Sequence, residues 1–124
     1  MTIDVVTIQP DGAITHETIP NGCEPLQQRV GGWIEAVSSA DGEVTLWCNE
    51  EGALNGMPMN GFATQLWYML NPVMAGHGVL HGPVVVSGGT DPEGETLSIP
   101  PRLASALNDA VANAERIMRG ESDE

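Results

Sequence analysis

Four polar residues stand close together in the middle of the chain. The stretch NEEGALNGMPMN, residues 49 to 60, holds Asn49, Glu50, Glu51 and Asn60 among glycines and a proline. Paired carboxylates can divide general acid and base work if geometry aims both at one substrate. Glu50 and Glu51 are sequence neighbours, and in a turn neighbours point apart, so the pair suits a solvated turn better than a reaction. His77 and His81 are four residues apart, the spacing of two metal ligands on a helix. Gly76, Gly78, Gly82 and Pro83 argue against a helix there, and no third or fourth ligand stands at a suitable distance. Cys23 and Cys48 form no CxxC pair and read as free, buried thiols. GxSxG, GxxxxGK[ST] and GxGxxG are all missing. GGTDPEGE is rich in glycine, but Asp91, Glu93 and Glu95 would repel a phosphate. No catalytic residue, metal or cofactor is expected.

What remains is surface chemistry. Seventeen acidic residues face four arginines, and lysine is missing, for a net charge of -13. Such a chain lacks the cations that neutralise nucleic-acid phosphates or an anionic membrane. It suits solubility, as a plain solvated acidic surface, or a basic protein partner. Trp47 is the side chain best able to anchor one, because tryptophan is enriched at interface hot spots. It alternates opposite Val44, Leu46 and Cys48 on a strand. If its face is open it can anchor a partner; if helices cover both faces it is core.

The elements that position these residues follow from pattern. TIDVVTIQPDGAITHETI reads as a β-hairpin turning at Pro10-Asp11-Gly12. EPLQQRVGG reads as a short helix with Pro25 at its first position and Gly31 as its stop. WIEAV and EVTLWC are strands joined around Asp41-Gly42, and Asn49 to Gly52 then turns the chain. Asn60 caps a helix over GFATQLWYML, with Ala63, Leu66, Trp67 and Leu70 on its apolar face. GPVVVSGG is a buried strand and GETLSI another. A long helix runs from about Pro101 to Arg119, with Leu103, Leu107, Val111, Ala114 and Met118 as its stripe. That stripe packs on the sheet or forms a homodimer seam. The expectation is one α+β domain over residues 1–119, a mainly antiparallel sheet with one short and two longer helices. Residues 120–124 form a disordered acidic tail. No secretory signal follows Met1, and no apolar run is long enough to span a membrane.

The blocks LQQRVGGWIEAV, NEEGALNGMPMN with Ala63, and HGPVVVSG resemble a small family of domains of unknown function from phages and mobile elements, notably of actinobacteria. The matching positions are Val30, Gly31, Gly32, Ile34, Glu35, Asn49, Glu50, Glu51, Gly52, Leu54, Pro58, Asn60, Ala63 and Gly82. The long C-terminal helix departs from that pattern. The resemblance implies an intracellular accessory protein, phage-encoded and acting in the host cytoplasm, with no activity to carry over. The leading expectation is a non-enzymatic module that binds a host or phage protein through an acidic face and exposed apolar residues. Two alternatives stand beside it: a small-ligand binder or enzyme with a pocket near Asn49–Asn60, and a DNA mimic whose carboxylates stand in for phosphates.

Overall fold

The computed structural model describes residues 1–118. The first hairpin pairs β1 (Thr2–Ile8) with β2 (Ile14–Pro20), in the register Ile3↔Ile19 and Ile8↔Ile14. Its turn closes where Gln9 donates to Ala13, with Gly12 at φ 91°. The second hairpin pairs β3 (Ile34–Ser38) with β4 (Val44–Asn49). The last strand, β5 (Val84–Gly88), lies between β1 and β4 and joins the hairpins. The sheet order is β2-β1-β5-β4-β3, and every neighbouring pair is antiparallel. This is an α+β fold with three helices on an antiparallel sheet.

Helices lie on both faces of the sheet. α1 (Cys23–Val30) covers one, packing Leu26 and Val30 on Ile3, Val5, Ile19 and Val85. α2 (Gly61–Leu70) and α3 (Pro101–Met118) cover the other, over Val6, Ile8, Leu46, Val84 and Val86. The alternation of β1, β4 and β5 sorts side chains between these two cores. It also explains why β5 is buried throughout, as a central strand with helices on both sides must be. Arg29 of α1 grips Glu17 of β2 through Nε–Oε2 at 3.1 Å and Nη2–Oε1 at 3.4 Å.

Three details depart from the sequence expectation. Of the two thiols expected to be buried, only Cys48 is; Cys23 opens α1 at the surface, where its side chain is exposed. Pro25 is the third residue of α1, not the first: the helix starts at Cys23, with Gly22 as its cap. The ring is tolerated there because the first amides of a helix have no partner within it. GETLSI is not a strand. Both edges of β5 are already taken by β1 and β4, so this segment cannot pair beside the strand it follows. It crosses the end of the sheet instead. Gly88 donates to Leu97 O, Leu97 donates to Gly89 O, and Ile99 donates to Asp4 O. The expected tail at 120–124 lies outside the described residues. So do the side chains of Val111, Ala114 and Met118 in the expected stripe; of that stripe, Leu107 is buried and Leu103 half-buried. No helix among the described residues is long and apolar enough to cross a membrane.

Candidate functional site

Residues 49 to 60 form a loop closed onto the segment around His81. Asn49 ends β4 with its side chain turned inward. Its Nδ2 donates to Val30 O at 3.2 Å, and its Oδ1 accepts from Glu51 N at 2.8 Å. Gly32 makes room for it, since a Cβ there would sit 2.9 Å from Asn49 Nδ2. Along the loop, Asn55 donates to Glu51 O and Met57 to Gly52 O. The far side is fastened by Gly82 donating to Pro58 O and Asn60 donating to Leu80 O, both at 2.8 Å. His81 Nδ1 lies 3.1 Å from Met57 O. Gly82 is at φ 76°, and an added Cβ would meet Met57 Sδ at 2.6 Å, so only glycine fits there.

Asn60 has no exposed surface. Its Nδ2 donates to Ile8 O and Gly82 O, each at 2.9 Å, and its Oδ1 accepts from Ala63 N at 3.1 Å. One side chain therefore caps α2 and ties it to β1 and to the β5 approach. The polar atoms of Asn49 and Asn60 are engaged inside the protein. Trp47 is half-buried against the α1-side core, and its Nε1 donates to Ser87 Oγ at 2.8 Å.

Glu50 and Glu51 stand differently. Both are exposed at the loop's first turn. Glu50 N donates to Trp33 O at 2.8 Å, so the loop starts directly beside Trp33, which is 67% exposed. Trp33 precedes β3, whose next exposed side chain is Glu35. Between β3, the loop and His81 lies a cleft of about 100 Å³, lined by Glu35, Cys48, Asn49, Glu50, Ala53 and His81 among others. Cys48 Sγ approaches Glu35 O at 3.6 Å. Burial, and then the Glu35 charge, push the Cys48 thiol up to about 11. It is therefore a neutral packing group at pH 7 and not a nucleophile. His77 is exposed in a turn, away from the bond that holds His81, and no group of three metal-ligating side chains converges among the described residues.

Sequence reasoning singled out Glu50 and Glu51 but passed over Trp33 and Glu35 as site residues. It also missed an apolar groove of about 650 Å³ between α2 and α3, lined by Phe62, Leu66, Met69, Leu70, Leu103 and Leu107 with smaller residues between. A signal for the groove was present. From Gly52 to Thr90 this acidic chain carries no Asp, Glu, Lys or Arg. A family model described as "Domain of unknown function (DUF3846)" matches residues 1–112. No curated protein and no solved structure matches the chain.

Proposed function

Because the chain belongs to the DUF3846 family, whose description assigns no activity, we propose from geometry that it is a non-enzymatic protein-binding module. Its docking surface is the rim formed by Trp33, Glu35, Glu50 and Glu51, and its occupant is a basic segment of a host or phage protein. The observation that carries this reading is a small cleft lined by the exposed Glu35 and Glu50, whose loop starts with the backbone bond from Glu50 N to the carbonyl of Trp33, an exposed tryptophan. A cleft of about 100 Å³ is well below the ~300–1,000 Å³ of small-molecule sites. It has room for the head of one lysine or arginine. Glu35 and Glu50 supply charge-assisted acceptors, and the Trp33 face supplies cation–π and apolar contact. The net charge of -13 steers a basic partner from a distance. The family resemblance supports the setting: a phage- or mobile-element-encoded accessory protein acting in the host cytoplasm.

The test is a titration with two peptides of equal length, one bearing Lys and Arg and one with serine in their place. The basic peptide binds, and its affinity falls as salt rises. Trp33→Ala, or Glu50→Gln with Glu51→Gln, weakens it about tenfold or more. Equal binding of both peptides would reject the reading, as would indifference to these substitutions. A DNA mimic would instead lose a basic partner to competing duplex DNA and barely notice two neutralised carboxylates.

A further inference from the structure

The free edge of β3 runs along the acidic cleft. β3 ends the sheet and pairs with β4 alone. Which of its backbone groups point outward follows from the bonds at its two ends. Glu50 donates to Trp33 O at 2.8 Å and Ser39 donates to Val44 O at 2.9 Å, and both pairs continue the register Ile34↔Asn49 to Ser38↔Thr45. In an antiparallel pair, every second residue bonds its neighbour strand. The amides and carbonyls of Glu35 and Val37 therefore turn to β4, and those of Ile34, Ala36 and Ser38 turn out. Asn71 Nδ2 takes Ser38 O at 3.1 Å and closes that end. Ile34 and Ala36 keep two donors and two acceptors, and among the described residues no bond from outside the sheet reaches them.

Side chains sort by face along the same edge. Glu35 is opposite Cys48, and both line the cleft with Glu50. Ala36 is opposite Trp47, and Ile34 and Trp47 pack against the α1-side core. A strand added to this edge keeps that alternation. Its residue opposite Glu35 shares the cleft face, with Cβ atoms about 4.5–5.5 Å apart. The residues before and after it share the face of Ile34 and Ala36. We propose, resting on the reading of the cleft as a site for a basic segment, that the partner docks as an antiparallel strand added to β3. It makes backbone bonds to Ile34 and Ala36, sets one lysine or arginine opposite Glu35, and places an apolar residue on either side of it. Charge selects this occupant. Glu35 and Glu50 are exposed and have no ion-pair partner among the described residues. A second copy of this chain would bring a charge of -13 to the same edge and be repelled. The opposite edge strand, β2, offers no such match. Its Glu17 is already held by Arg29, and Pro20 at its end has no amide to give.

The probe is a short peptide with one lysine between two valines, titrated against the full chain. In the proposed pairing the valine amides point at β3 and the lysine amide points away. N-methylation of either valine therefore weakens binding about tenfold or more, whereas N-methylation of the lysine leaves it unchanged. In hydrogen exchange, saturating peptide slows the Ile34 and Ala36 amides at least about tenfold. Those of Glu35 and Val37, already bonded to β4, gain no comparable protection. Ala36→Pro removes one outward amide at an edge position where proline is tolerated. It weakens binding at least about tenfold while far-UV ellipticity stays native. Binding of the lysine peptide that ignores which amide is methylated would overturn the added strand and keep the basic-segment reading. The alternating pattern, retained at equal affinity with serine in place of lysine, would reject the basic-segment reading and keep the strand. No binding of the lysine peptide up to about 1 mM would overturn both.

Discussion

Replacing Asn60 by alanine removes three hydrogen bonds at once. Two carbonyls, Ile8 O and Gly82 O, lose a donor, and Ala63 N at the start of α2 loses its acceptor. Because Asn60 is fully buried, water cannot readily take its place. The lost cap is worth about 1 kcal/mol. Leaving buried carbonyls unpaired adds about 1–3 kcal/mol for the pair, and the void left by the amide adds about 1 more. The sum is roughly 4 kcal/mol, a large share of the stability of a domain of this size. It corresponds to a fall in melting temperature of roughly 15 °C. Urea unfolding at 25 °C, followed by tryptophan fluorescence, measures it as a lower midpoint with an unchanged slope. Asn60→Ser provides an internal control. Serine can still accept from Ala63 N but cannot span to both carbonyls, so it should recover about 1 kcal/mol. A loss below about 1 kcal/mol for Asn60→Ala would refute the claim that this side chain fastens α2 to the sheet.

Two further outcomes follow from the titratable groups. Cys48 is buried with its thiol pushed up to about 11, whereas Cys23 is exposed at the start of α1. Iodoacetamide at pH 8 should therefore alkylate Cys23 alone in the native protein, as read by mass spectrometry, and both residues in denaturant. Asp41 is held below its ordinary value of 3.8, first by the Ser39 hydroxyl at 2.6 Å and then by the Glu43 amide at 2.9 Å. A depressed folded-state value means that its contribution is present above about pH 4 and is lost as pH falls through the depressed value. Asp41→Asn should thus melt earlier than wild type at pH 6, with the gap closing in acid. A gap that widened in acid would reverse the sign.

Local pattern reached a good part of this fold. The proline-aspartate-glycine turn, the alternation of Val44, Leu46 and Cys48, and the cap at Asn60 are all decided within a few residues. The structure realises each of them. Long-range pairing was not legible. GPVVVSGG reads as buried, but nothing near it says that both its edges are occupied, so GETLSI read as a further strand. The double role of Asn60 was equally hidden. Its cap lies three residues away, while its bond to Ile8 O spans most of the first half of the chain. Alternation placed Trp47 opposite Leu46 but could not say that α1 would cover that face. Trp33 reads as the first residue of the strand WIEAV, but the strand starts at Ile34 and leaves the indole just outside its periodic part, after Gly31-Gly32. There, exposure is set by the neighbouring loop and not by period.

The position of β5 has a consequence for the newborn chain. Each hairpin can form from its own residues soon after synthesis, but the strand that unites them is the next-to-last element made. Until it emerges, β1, rich in valine and isoleucine, and β4, with Val44 and Leu46, each present an unzipped inner border to whatever else is nearby. A ribosome that stalls before Val84 would release two half-sheets with adhesive margins. Timely arrival of five residues separates the native sheet from entanglement with its neighbours.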